Sequence, residues 1–122
     1  MVVEATLFNP KQDSFTFDRQ LIDQVAFPLG DRYPGEIFSN YWNSYGGVVQ
    51  RYRPQRMLEI GVRYGYTAIV CCLAAATAKP PYVLSYVGLD DESYHANSCA
   101  VAQENLRKVV PLNDARVLKW NS

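Results

Sequence analysis

The sequence predicts an α/β fold built on an open parallel sheet, and three observations predict it. After residue 54, apolar stretches of strand length alternate with helix-length stretches in the order strand, helix, strand, helix, strand. The strands are continuous apolar runs rather than polar–apolar alternations, the pattern of strands in a parallel sheet. Glycines follow the first strand and acids close the second, so both clusters fall where an open parallel sheet receives its ligands, at the carboxyl ends of its strands. Crossovers between such strands are right-handed.

Residues 1–33 read as an N-terminal arm. Asp18 caps a short helix whose Leu21, Ile22, Val25 and Ala26 share one face, and Phe27-Pro28-Leu29-Gly30 ends it. Residues 34–122 read as the domain proper. It opens with an aromatic stripe: Ile37, Phe38, Tyr41, Trp42, Tyr45, Val48, Val49 and Tyr52 recur at three- and four-residue steps down one side of a helix. Pro34 suits the first turn of that helix and Pro54 ends it, while Gly46-Gly47 offers a place for a kink. Such a stripe is read first as core packing and second as a lid or partner surface.

Arg56 to Val62 is then a short strand running into a turn, and Thr67 to Ala78 an alanine-rich helix, apolar on most sides and therefore buried. Lys79-Pro80-Pro81 stops it. Tyr82 to Leu89 is a second apolar strand that ends in Asp90-Asp91-Glu92. A third helix spans Ser93 to Val109, with Cys99, Ala102, Leu106 and Val109 on one side. Pro111 and Asn113-Asp114 turn the chain into a third strand, Ala115 to Trp120.

Composition narrows the function classes. The 122 residues carry 12 basic and 12 acidic side chains, with 48% hydrophobic and 20% charged residues. That balance opposes intrinsic disorder, and a neutral chain has no general pull toward nucleic acid or an anionic membrane. A chain of this length encloses one core, so one domain is expected. The first residues lack a basic segment ahead of an apolar run, and the longest apolar stretch, Ala68 to Ala76, falls short of the ~20 residues that span a bilayer. Three cysteines, with Cys71 and Cys72 adjacent, fit neither a disulfide framework nor zinc-ligand spacing, and His95 is the only histidine. The expectation is therefore a cytoplasmic chain with no membrane, nucleic-acid or metal partner.

The chemistry lies in two clusters. In Glu59-Ile60-Gly61-Val62-Arg63-Tyr64-Gly65, Gly61 permits a tight turn with close ligand approach, and Gly65 permits close entry into the helix. Free N–H groups at that helix start favour a negative group such as a carboxylate. In the second cluster, Asp90 ends a strand, where an acid can accept both hydroxyl protons of a ribose. A Gly-x-x-x-Gly alone is a common pattern, and its position between strand and helix, with an acid closing the next strand, gives it meaning.

Together these residues resemble the cofactor half of the class I S-adenosylmethionine-dependent methyltransferases, whose sheet is Rossmann-like. Leu58-Glu59-Ile60-Gly61-Val62-Arg63-Tyr64-Gly65 is similar to that family's first motif, Val87-Gly88-Leu89-Asp90 to its ribose-binding strand end, and Ala102-Gln103-Glu104-Asn105-Leu106 to the helix segment that follows. The resemblance covers about residues 34–122 and implies a three-layer Rossmann-like open parallel sheet, here its first three strands, preceded by N-terminal helices. It implies S-adenosyl-L-methionine as cofactor and a small-molecule methyl acceptor as partner. Carried over residue by residue, it implies that Gly61 and Gly65 shape the floor under the methionine part and that Glu59 helps hold its ammonium end, directly or through water. Asp90 takes the ribose hydroxyls, Leu89 and Asp91 flank the adenine, and Asn121 accepts a hydrogen bond from the adenine amine through its carbonyl oxygen.

Two departures stand out. Arg63 occupies a position where the family often has a further glycine, and the chain breaks off after the third strand of a seven-stranded sheet. A truncated chain is the expectation, with completion by another chain or a non-catalytic remnant as alternatives. The first strand would then leave an unpaired edge through which the chain forms a homo-oligomer. Two other functions compete. One is a non-catalytic interaction module using Tyr41, Trp42, Tyr45 and that edge. The other is a nicotinamide or flavin dinucleotide site, disfavoured because Arg63 stands where the pyrophosphate needs a glycine. His95, four residues after Asp91, could meet it on a helix, and Asp90-Asp91-Glu92-His95 could bind a cation, although a capped helix start accounts for the same acids. The cysteines read as small buried hydrophobes.

Overall fold

The computed structural model describes residues 36–121; the arm expected over residues 1–33, with its short helix, lies outside the described residues. Helix α1 (Glu36–Tyr52) leads into β1 (Arg56–Ile60), followed by α2 (Tyr66–Ala76), β2 (Ser85–Asp90), α3 (Ser98–Val109) and β3 (Asp114–Lys119). The strands form one parallel sheet in the order β1-β2-β3, in a register that sets Leu58 opposite Val87 and Val87 opposite Arg116. The α/β class and the parallel sheet are those the sequence predicts.

The element ends differ from the expected ones for local reasons. β2 starts at Ser85 rather than Tyr82, because the Tyr82 amide still donates to the Ala75 carbonyl at the end of α2 (3.0 Å) and is not free to join the sheet. α3 starts at Ser98 rather than Ser93. Asp90 Oδ1 accepts the Glu92 N–H (2.8 Å) and Asp91 Oδ1 the Ser93 N–H (2.9 Å), local turns that compete with helix. Glu92 and Asn97 take positive φ, and the Glu92 carboxylate then accepts the Cys99 amide in the first turn of α3 (3.2 Å). Gly46 and Gly47 produce no break: α1 runs through them as continuous α-helix, and both are buried.

Helix α2 is buried almost all round, as its composition predicts: Ala68, Ile69, Val70, Cys71, Cys72, Ala74 and Ala75 are inaccessible. It packs against α1 on one side and against α3 and β2 on the other, while α3 lies on β3. The aromatic stripe of α1 divides. Trp42 and Val49 join the core with Tyr86, Leu84, Leu106 and Val117, whereas Tyr45, Val48 and Tyr52 face out. All three cysteines are buried free thiols.

Burial alternates along the strands. Glu59, Tyr86, Gly88 and Val117 face the helices, while Leu58 (63% exposed), Ile60 (62%) and Leu118 (49%) face the other way. The described residues therefore make two of the three layers expected, and among them no helix covers the second face. The two sheet edges also differ. Gln103 of α3 donates its side-chain amide to the Ala115 carbonyl (3.0 Å) and accepts the Val117 N–H (2.9 Å), so it closes the outer edge of β3. Among the described residues no strand pairs with the outer edge of β1.

Candidate functional site

The chain leaves β1 through a tight loop, residues 61–65, in which Gly61 (φ 83°), Arg63 (φ 55°) and Gly65 (φ 91°) all take the left-handed conformation. At Gly65 a second demand adds to the first: a Cβ there would sit 3.2 Å from the Cβ of Ala102, so α3 crosses directly over this glycine. Three side-chain contacts hold the loop. Asp90 Oδ2 accepts the N–H groups of both Val62 and Arg63 at 2.8 Å, and the buried Asn105 donates its amide to the Tyr64 carbonyl at 3.0 Å. The helix segment 102–106 thus owes its place to this loop: Ala102 leaves room for Gly65, and Asn105 fixes Tyr64.

Two cavities open on either side of the loop and share Gly61 and Arg63. The larger, about 350 Å³, is bounded also by Asp90, Tyr94, His95 and Ser98. The smaller, about 240 Å³, is bounded by Glu59, Thr67 and the stacked pair Trp42 and Tyr66, whose ring centroids lie 5.3 Å apart. Helix α1 therefore walls the site through Trp42 while anchoring in the core.

Glu59 is the electrostatic centre of the smaller cavity. Burial pushes its carboxyl up to about 7, and the negative charge of Asp90 adds to that. Hydrogen bonds from Tyr86 and Thr67 pull the other way, toward the ionised form. The Tyr86 hydroxyl donates to Glu59 Oε1 at 2.5 Å. Next to this carboxyl lies the start of α2, where Gly65 is an N-cap without a side-chain bond and no acid stands in the first turn. The first N–H groups of a helix lack intrahelical partners and attract negative charge. The smaller cavity thus presents a carboxylate and an uncapped helix N-terminus side by side.

In the larger cavity Asp90 has already accepted three backbone N–H groups, from Val62, Arg63 and Glu92. A carboxylate offers about four acceptor sites, so about one is left for a ligand. Ser98 lies at the mouth of α3, is 1% exposed, and its hydroxyl has no hydrogen-bond partner among the described residues. The thiols are not nucleophiles here. Burial pushes Cys71 above its ordinary range, Cys72 up to about 12 and Cys99 up to about 11, so all stay protonated at neutral pH.

Of the residues singled out in the sequence, Glu59, Gly61 and Asp90 border the two cavities, and Gly65 lies behind them as the pivot of the loop. Leu89 accepts the Gly61 N–H through its carbonyl (2.8 Å), but its position in β2 sends its side chain to the face away from the helices. Asp91 and Asn121 are exposed, and neither borders these cavities. The end of β3 is nonetheless tied to this corner, since the Trp120 N–H donates to the Asp90 carbonyl at 2.9 Å. His95 does not meet Asp91 on a helix, because residues 93–97 are not helical; its ring lies against Tyr64 with centroids 5.1 Å apart. Among the described residues no group of three or more His, Cys, Asp or Glu could hold a metal ion.

Sequence reasoning missed Thr67, Tyr86 and Ser98, and it read Trp42 as part of a core or partner stripe rather than as a wall of this site. A period-two count back from Gly88 places Tyr86 on the face of Glu59, and Thr67 stands in the helix turn that Gly65 opens. No sequence signal marks Ser98.

No protein-family model matches the chain, and no curated protein matches it. Solved structures that share its fold include two methyltransferases. One is the Podospora anserina methyltransferase PaMTH1 with SAH bound: TM-score 0.60, 18% identity, covering 92% of this chain and 46% of that one. The other is an O-methyltransferase from Bacillus cereus in complex with SAH: TM-score 0.54, 21% identity, covering 83% of this chain and 41% of that one. The chain shares the open parallel, Rossmann-like fold of these two proteins and spans less than half the length of each.

Proposed function

We propose that the chain is the cofactor-binding part of an S-adenosylmethionine-dependent methyltransferase acting on a small-molecule acceptor. The observation that carries this reading is the paired charge of the smaller cavity. The buried Glu59 carboxyl and the uncapped start of α2 match the ammonium and carboxylate of the cofactor's amino-acid end, each to its opposite sign. Burial raises this carboxyl to about 7, and an ammonium placed beside it would favour its ionised form.

The ribose belongs on the other side of the loop, where Asp90 keeps an acceptor site and the Ser98 hydroxyl has no partner among the described residues. Gly61 lies between the two cavities, as a residue under the thioether region does. The adenine then lies beyond these cavities, toward the exposed Asp91 and Asn121 past the ends of β2 and β3, while the Leu89 side chain faces the other side of the sheet. When bound, S-adenosylmethionine supplies a methyl group on a sulfonium that is already a good leaving centre. The work left to the chain is to bind, orient and exclude water. The three free thiols suit a reducing, cytoplasmic location.

A dinucleotide fits less well. Arg63 sits where the pyrophosphate needs a bare backbone, and its side chain borders both cavities. Thermal melting with added ligand distinguishes the two, because a ligand that binds only the folded chain raises Tm by mass action. S-adenosylhomocysteine is expected to raise Tm and NAD to leave it unchanged; a rise with NAD alone would replace the proposal.

A second reading has its own observation. One sheet edge is closed by Gln103 while the edge of β1 is left beside exposed Leu58 and Ile60, the arrangement of an interaction module that pairs with a second copy through β1.

A further inference from the structure

We infer that Tyr86 is a positioning residue for the cofactor's amino-acid end: its hydroxyl, seated in the space left by the missing side chain of Gly88, holds the Glu59 carboxylate in the orientation that receives an ammonium group. The inference rests on the function proposed above and adds to it a residue that touches no ligand.

The geometry is specific. In the sheet register Glu59 of β1 stands directly opposite Gly88 of β2, and Tyr86 lies two residues earlier on the same face. Tyr86 is fully buried, so its long side chain must run along the sheet beneath the helices. It does so over Gly88: a Cβ on that residue would come within 2.6 Å of the Tyr86 hydroxyl oxygen and 2.5 Å of Val62 Cγ2. Any side chain at position 88 closes this path. With glycine there, the hydroxyl crosses from β2 to β1 and donates to Glu59 Oε1.

The other groups around Glu59 act on it from other directions. From β2, Asp90 brings a second negative charge, which repels. From α2, Thr67 bonds the carboxyl, while Cys71 and Cys72 stay neutral. Arg63 borders the same cavity from the loop, and Arg56 and Tyr45 border the groove on the β1 side. Tyr86 is the buried donor that comes from the opposite strand. It therefore fixes where the carboxylate points and favours its ionised form, both of which a cationic ligand group requires.

The test is the pH dependence of S-adenosylhomocysteine affinity for the 122-residue chain and for Tyr86→Phe, by calorimetry from about pH 6 to about pH 8.5. The unmodified chain is expected to bind more tightly as pH rises through the Glu59 titration. Without the hydroxyl, that titration moves to higher pH. Tyr86→Phe is then expected to bind about fivefold more weakly near pH 7 and to recover most of its affinity at the alkaline end, for a shift of about one unit. Glu59→Gln serves as the control that abolishes the pH dependence. A Tyr86→Phe profile equal to that of the unmodified chain, or one lowered equally at every pH, overturns the inference. Failure of the unmodified chain to bind at any pH is a different result, and it removes the proposed function together with the inference. Melting of both proteins across the same range confirms that folded samples are compared.

Discussion

Asp90 Oδ2 accepts the backbone N–H of Arg63 at 2.8 Å, and so couples the end of one strand to the loop that leaves its neighbour. A carboxylate at this strand end is therefore part of the loop's construction as well as a ligand group. Asp90→Ala would strip partners from the Val62, Arg63 and Glu92 amides at once. It is expected to lower stability by about 2 kcal/mol and S-adenosylhomocysteine affinity by tenfold or more. Asp90→Asn retains one acceptor oxygen and is expected to lose less of both. Denaturant unfolding and calorimetry on the two variants read these losses separately, and unchanged affinity in Asp90→Ala would remove the residue from the site.

Gly88→Ala is expected to destabilise the fold by about 1–3 kcal/mol, because the added methyl overlaps Val62 and the Tyr86 hydroxyl in a close-packed interior. Denaturant melts measure the effect. A neutral Gly88→Ala would mean that Tyr86 has another place to go and that its path over Gly88 is not obligatory.

Asn105→Ala should cost about 2 kcal/mol, since the buried Tyr64 carbonyl loses its donor and the loop its fixed point. Ser98→Ala makes the contrasting case. Its hydroxyl is buried without a partner among the described residues, so its removal should leave the free chain as stable or slightly more stable. Equal losses in the two variants would contradict this distinction.

The pH dependence of stability follows from the sign of the Glu59 shift. Burial raises its carboxyl from 4.5 to about 7, so the folded chain holds this proton more tightly than the unfolded chain. The resulting stabilisation is complete below the ordinary carboxylate range, fades as pH rises toward 7, and is absent above that. Glu59→Gln cannot titrate. It should be more stable than the unmodified chain at pH 8, by ~3 kcal/mol at most, with little advantage at pH 4. Melting curves at the two pH values check the difference, and an equal advantage at both would deny the shift.

The edge of β1, which no strand among the described residues pairs with, makes a separate prediction. Sedimentation of the 122-residue chain should show self-association that Ile60→Lys suppresses, since a charge beside an edge opposes strand pairing. A monomer at all concentrations would contradict the second reading.

How much of this was legible in the sequence depends on which interactions set each feature. The strand–helix order was, because apolar runs and Gly/Pro punctuation are local signals, and Glu59, Gly61, Gly65 and Asp90 were, because they sit at element ends. The start of α3 was not: the side chains of Asp90, Asp91 and Glu92 turn the chain through their own hydrogen bonds before a helix can form. Nor was the division of the α1 stripe, where Trp42 is buried by stacking on Tyr66, a residue 24 positions away. The face of Tyr86 follows from a period-two count, but its contact with Glu59 depends on the register that sets Gly88 beside Glu59, which no local signal gives.

The measurement that bears most directly on the central claim is a calorimetric titration of the folded chain with S-adenosylhomocysteine near pH 8, where Glu59 is ionised. The account predicts saturable one-site binding that Glu59→Gln weakens by at least tenfold. Saturable binding untouched by Glu59→Gln, or none at all by a chain shown to be folded, would contradict it.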